Sequence, residues 1–196
     1  MTDSVPDDEL IVRIAGGDRD ALTALFRHRH RDVYRFALHM SGNPALAEDV
    51  VQEVFLAVMT DAARYEPGRS GVRAWLAGIA RNHARRHLEA DRRHAVLDDD
   101  VIEPAAVDDV LMDLTREERI EELRRAVTTL PLKYREAIVL CDLQELSYVE
   151  AADALGCAVG TVRSRLHRGR ALLVSKMAAS EAHAEASKLR HARCLA

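Results

Sequence analysis

The sequence predicts an all-α protein of two small helical domains joined by an acidic linker. Three observations carry this. Apolar residues recur at three- and four-residue spacing through nearly every segment, and none shows sustained period-two alternation. Aromatics make up only 4% of the 196 residues while hydrophobic residues make up 48%, so the core is built from Leu, Val, Ile and Ala. Such a core favours helices packed on helices. Charge is arranged in blocks behind a net charge of −4: basic from Arg64 to Arg93, acidic from Asp98 to Asp113, and basic again beyond Ala158.

The first domain spans residues 1–94. Asp18 can cap a helix whose stripe is Leu22, Leu25, Phe26, Val33, Phe36, Ala37 and Met40, and Gly42 stops it. Asn43-Pro44 restarts the chain, with Asn as N-cap and Pro at the first helical position. Val50, Val51, Val54, Phe55 and Val58 line one side of that second helix, which leaves Glu48, Asp49, Gln52, Glu53 and Leu56 projecting elsewhere. "EPGRSG", 66–71, reads as a loop. A third helix runs from about Val72 to about Arg92, with Leu76, Ile79, Ala80, Ala84 and Leu88 inward. Trp75 sits in that apolar run and reads as core.

Periodicity lapses over 95–114, a stretch with Pro104 and many carboxylates, which reads as a linker. The second domain, 115–175, opens on a capping box of Thr115 and Glu118, followed by the stripe Ile120, Leu123, Val127 and Leu130. Pro131 opens another helix that runs to about Leu143. "SYVE", 147–150, is a second capping box and starts a short helix that ends at Gly156. A further helix follows at once, and the tail 176–196 extends it before fraying.

A short helix, a tight turn and a second helix form a helix-turn-helix pattern. Val149, Ala152 and Leu155 can pack on Val159, Val162 and Leu166. Thr161, Arg163, Ser164, Arg165, His167 and Arg168 then surround the exposed side. Residues 156–173 carry four arginines and no acid. Arginine can grip a guanine edge bidentately or neutralise a phosphate, so DNA is the ligand this surface suits.

Other chemistries find little support. Cys141, Cys157 and Cys194 are scattered and odd in number, which points to a reducing cytoplasm and no disulfide framework. The start, "MTDSVPDDEL", lacks the apolar run of a signal peptide, and no apolar run is long enough for a membrane span. No nucleophile stands with a base, no glycine pattern cradles a phosphate, and no cofactor or metal is expected. His183, His191 and Cys194 leave a metal- or redox-sensing tail as a lesser alternative.

Three motifs in order carry a resemblance. "EDVVQEVFLAVM", 48–59, resembles region 2.2 of bacterial sigma factors, and "VRAWLAGIARNHARRHLEADRR", 72–93, resembles regions 2.3 to 2.4. The run from Leu130 to Leu173, "LPLKYREAIVL…VGTVRSRLHRGRALL", resembles region 4. The whole resembles an extracytoplasmic-function (ECF) sigma factor of the sigma-70 family, with no room for region 1.1 or a full region 3. The resemblance implies a non-enzymatic factor that joins core RNA polymerase and directs it to promoters. It assigns Glu48, Asp49, Gln52, Glu53 and Leu56 to the polymerase's β′ coiled coil, and region 4 to the β flap as well as DNA. It assigns Arg64, Tyr65, Arg69, Arg73, Arg81, Asn82, Arg85 and Arg86 to the −10 element and its flipped bases. The −35 element falls to Thr161, Arg163, Ser164, Arg165, His167 and Arg168. Cys157-Ala158 departs from the Ser or Pro common in the family, which leaves individual base assignments open. The linker would thread the polymerase channel, where carboxylates can imitate a phosphate backbone. An anti-sigma factor that clamps both domains is a further implied partner. The alternative is a helix-turn-helix regulator that does not bind polymerase.

Overall fold

A computed structural model describes residues 5–68, 70–97 and 116–194. Its helices are α1 (Asp7–Ala15), α2 (Arg19–Ser41), α3 (Pro44–Asp61), α4 (Val72–Leu97), α5 (Arg116–Thr128), α6 (Leu132–Ile138), α7 (Tyr148–Leu155) and α8 (Val159–Cys194). A 3-10 turn, Ala62–Arg64, follows α3, and a π-helical turn, Val139–Leu143, continues α6. No strand occurs among the described residues. Arg69, the expected linker beyond Leu97 and the Thr115 cap lie outside the described residues. So do the side chains of His183, His191 and Cys194, on which a sensing tail would rest.

Local chemistry explains the boundaries. Asp18 Oδ1 accepts from the backbone N–H of Asp20 at 2.9 Å and of Ala21 at 3.0 Å, which starts α2. Gly42 ends it at φ 70°, a left-handed conformation that glycine adopts without a Cβ penalty. Asn43 then accepts from Ala45 N–H and starts α3. Helix α1 is an element the sequence reading did not place. Asp7, Asp8 and Glu9 crowd its first turn, where the helix dipole favours negative charge, and Leu10, Ile11 and Ile14 are buried.

Helices α1 to α4 pack as one bundle around Leu25, Phe36, Met40, Val50, Val54 and Leu76. Helices α5 to α8 form the second, around Leu130, Ile138, Leu140, Val162 and Leu166. At Gly169 an added Cβ would stand 3.1 Å from Ile138 Cγ1, so the missing side chain lets α8 press against α6. The two bundles also dock on each other: α4 lies against α7, and α2 touches α5 and the π-turn.

Three apolar residues expected inside are not. Phe26 is 40% exposed, Ile120 40% and Val149 60%. Val149 is the second residue of α7, in its exposed first turn. Ala152 and Leu155 alone make the packing predicted for three. Trp75 is half-buried, with its ring 5.2 Å from that of Tyr65.

Candidate nucleic-acid and partner interfaces

The first surface is the face shared by α2 and α3. Glu48, Asp49 and Gln52 are exposed, and Leu56 beside them is 62% exposed. Next to them runs an apolar groove lined by Leu22, Phe26, Phe55, Leu56 and Met59. Phe26 is held in it by His30, stacked at 4.9 Å, and by the edge of Phe55, also at 4.9 Å. An exposed apolar strip rimmed by carboxylates is costly to leave in water, so it fits a partner that is apolar at its centre and basic at its edge. The exposures of Phe26 and Met59 were not legible from periodicity, which counts an apolar side chain as inward.

Glu53 differs from its neighbours. It is half-buried and turned toward α4, where its carboxylate meets His83 Nδ1 at 2.5 Å and His87 Nε2 at 3.2 Å. Burial alone would raise its pKa. The hydrogen bonds and charge of the two imidazoles outweigh burial and hold it below the usual carboxylate value.

The second surface is the 64–71 loop and α4. Arg64 is 81% exposed and pairs with Asp61 at 3.0 Å. Tyr65 is only 7% exposed. Its hydroxyl donates to Asp8, and the Ser70 carbonyl lies 3.0 Å away. Burial and then the Asp8 carboxylate push its ionisation far up. Tyr65 therefore fastens the loop to α1 and does not offer a free ring for stacking on a base. On α4, Asn82 and Arg86 are exposed. Arg73, Arg81 and Arg85 turn instead to the second bundle: Arg73 donates to the Gln144 carbonyl at 2.7 Å, and Arg81 meets Glu136 at 2.8 Å. Arg85 stands 3.6 Å from the same carboxylate.

The third surface is α8. Ser147 and Glu150 form the predicted capping box, at 3.2 and 2.8 Å. Gly156, at φ 61°, turns the chain from α7 into α8. Val162 and Leu166 bury one face. Arg163, Ser164, His167 and Arg168 are exposed on the other, and Thr161 and Arg165 are half-buried at its margins. Two tyrosines unnoticed in the sequence brace this face. Arg163 lies over the Tyr148 ring at 5.9 Å. Arg168 bonds the Tyr134 hydroxyl and holds its pKa below the usual phenol value. Single aromatics near a basic helix give no spacing signal that could have found them.

No group of three His, Cys, Asp or Glu side chains among the described residues could hold a metal ion. No helix among them is long and apolar enough to cross a membrane. Burial pushes the Cys141 thiol up to about 11, so it stays protonated near neutrality.

Comparison with known proteins places these surfaces in context. Residues 25–94 match the family described as Sigma-70 region 2, and residues 120–173 match Sigma-70, region 4. The probable RNA polymerase sigma-C factor of Mycobacterium bovis is 34% identical over 89% of this chain and 95% of its own length. The ECF RNA polymerase sigma factor SigE of Mycolicibacterium smegmatis is 37% identical over 80% of this chain. That match spans 62% of SigE. Among solved structures, the sigma factor RpoE in complex with the anti-sigma factor NepR from Bartonella quintana aligns with a TM-score of 0.63 at 28% identity, covering 78% of this chain and 93% of that one.

Proposed function

Because the chain belongs to the sigma-70 family as an ECF sigma factor, we propose that it binds core RNA polymerase and directs promoter-specific initiation through separate −10 and −35 contacts. The observation that carries this reading is the presence, on one chain, of an acid-free recognition face on α8 and an acidic, apolar-grooved face on α2 and α3. The first suits duplex DNA and the second a protein.

Each surface then has a task. Glu48, Asp49, Gln52 and Leu56 dock on the β′ coiled coil, where charge complementarity sets orientation and encounter rate. Glu53 supports that face from behind, through α4. Arg64, Arg69, Arg73, Arg81, Asn82, Arg85 and Arg86 serve the −10 element. Offsetting the unstacking of a flipped base, roughly a few kcal/mol, requires such pocket and phosphate contacts. Arg163, Ser164, Arg165, His167 and Arg168 read the −35 element, with Thr161 near the start of α8. Residues 1–94 and 115–175 act as the two DNA-binding domains, 95–114 as the linker through the channel, and 176–196 as a tail. The second domain also meets the β flap. The factor works in the cytoplasm and performs no catalysis of its own. An anti-sigma factor is a fitting regulator, since a structural relative is captured bound to one.

Gel filtration with core polymerase, followed by run-off transcription on a genomic promoter library, tests this reading. Co-elution and discrete start sites are the expected result. A chain that elutes apart from core polymerase yet still binds DNA would instead be a free-standing helix-turn-helix regulator.

A further inference from the structure

Helix α1 carries two adjacent carboxylates that meet different partners. Asp7 turns to α2, where it pairs with Arg29 and, at 3.0 Å, with His28. Together with the burial of Leu10, Ile11 and Ile14, this fixes α1 to the bundle. Asp8 turns to the 64–71 loop and accepts from the Tyr65 hydroxyl. That hydroxyl also stands 3.0 Å from the Ser70 carbonyl. One phenolic proton thus faces two acceptors, one on α1 and one at the far end of the loop. Burial and then the Asp8 carboxylate push the phenol's pKa up and keep it a donor.

The contact sits where the loop is otherwise open. The Tyr65 backbone N–H bonds back to Ala62, and the Gly71 carbonyl accepts from Ala74 and Trp75 at the start of α4. Among the described residues, no backbone–backbone hydrogen bond joins Tyr65 to the Ser70–Gly71 end. The tyrosine side chain spans the two ends instead. Tyr65 is 7% exposed and its ring is tilted against Trp75 at 5.2 Å, so the hydroxyl has a fixed origin. Arg64 directly precedes Tyr65, and Arg73 follows Gly71 by two residues. Both cations therefore take their separation from this clasp.

We infer that Asp8 is a positioning residue for −10 recognition: through the Tyr65 hydroxyl it sets the shape of the 64–71 loop, and so how strictly the −10 sequence is read. The inference rests on the −10 assignment of that loop made above. A carboxylate is a stronger acceptor than a carbonyl, so Asp8 draws the hydroxyl toward α1 and holds it between its two partners. Without Asp8 the proton passes to Ser70, and α1 no longer sets where the loop lies. The effect falls on sequence preference more than on overall affinity. Attraction between an arginine and a phosphate carries no sequence information and survives a small displacement. A base edge or a flipped-base pocket is read only when its contacts are held within about 0.5 Å.

The test uses holoenzyme formed from the full-length chain and core polymerase. Its probe is a DNA library, unpaired and randomised over the −10 stretch, with a duplex upstream stretch randomised at −35. Bound and free fractions are sequenced, and the fold preference at each position is read. A single contacted base is discriminated by about 5- to 150-fold. Asp8→Ala and Tyr65→Phe should each shrink that preference by about threefold or more at the best-read −10 position. The double variant should lose no more than either single one, because both break the same bond. Asp8→Asn keeps an oxygen acceptor in place and should restore most of the preference. Affinity for the whole pool, its salt slope and the −35 preference should match the parent in every variant. A bond that only stabilised the fold would lower the melting temperature and leave the −10 preference as in the parent. Unchanged −10 preference in Asp8→Ala and Tyr65→Phe would therefore overturn the inference, and so would a loss shared equally with the −35 element. If Asp8→Ala fails to fold, as judged by circular dichroism, Tyr65→Phe decides, since it keeps the buried ring. A parent holoenzyme with no −10 preference would overturn the −10 assignment itself, and the positioning role with it.

Discussion

Arg170 closes on Asp142 as a two-pronged ion pair, with Nε 2.9 Å and Nη2 2.5 Å from the two carboxylate oxygens, tying α8 to the π-turn. It belongs to the same acid-free run as Arg163 and Arg168, yet its guanidinium is committed inside the domain. Arg170→Ala should lower the melting temperature slightly, since exposed pairs contribute about 0.2–1 kcal/mol. It should leave the base preference at the −35 element unchanged. Arg163→Ala should do the reverse, costing about 1–3 kcal/mol of discrimination at one or two base pairs. Thermal melts and binding to a −35 sequence library separate the two.

The α2–α3 face carries the second prediction. Leu56 is 62% exposed, so Leu56→Ala removes little buried area and should leave the melting temperature within about 2 °C. Affinity for core polymerase should fall several-fold, and Glu48→Lys should reduce it further by reversing a rim charge. A titration against labelled core polymerase measures both. Unchanged affinity in Leu56→Ala would remove the groove from the interface.

Glu53 should behave differently from Glu48, although the two lie only five residues apart on α3. Its bonds to His83 and His87 join α3 to α4. Glu53→Gln should therefore lower the melting temperature at neutral pH while Glu48→Gln does not. Its folded pKa is depressed, so its contribution is present above the ordinary carboxylate value and lost as pH falls through the folded value. The gap between parent and Glu53→Gln should accordingly close in acid. A gap that persists there would mean the carboxylate charge is not the source.

The Ser147–Glu150 capping box should hold the start of the helix-turn-helix. Ser147→Ala is expected to cost about 1 kcal/mol, a fall of about 2–4 °C for a chain of this size. The Ser147 hydroxyl, then its backbone N–H, hold Glu150 below the usual carboxylate value. Its share of stability is thus present above that value and is lost on acidification through the folded pKa. Glu150→Ala melts compared across pH would show it, and a pH-independent difference would speak against the cap.

The helices were legible because each bundle buries one stripe, and periodicity reports a stripe directly. Helix α1 was not, since nine residues give only about two and a half turns of pattern and its start is carried by Asp7, Asp8 and Glu9. The basic face of α8 was legible because a run of arginines without acids needs no partner to be noticed. The burial of Tyr65 was not legible for the opposite reason: its partner Asp8 lies 57 residues away, and sequence gives an aromatic beside a loop no burial. The same distance problem hid the sharing of Arg81 with Glu136, 55 residues apart, and of Arg73 with Gln144, 71 apart. A helical pattern tells which residues face inward on their own helix. It does not tell which exposed cations meet an anion from the next domain.

Run-off transcription by reconstituted holoenzyme tests the central claim most directly. The parent chain should confer discrete start sites on core polymerase. A chain carrying Arg85→Glu, Arg86→Glu, Arg163→Glu and Arg165→Glu should still co-elute with core polymerase but lose those starts. Initiation by that variant at the same sites and level as the parent would contradict the account.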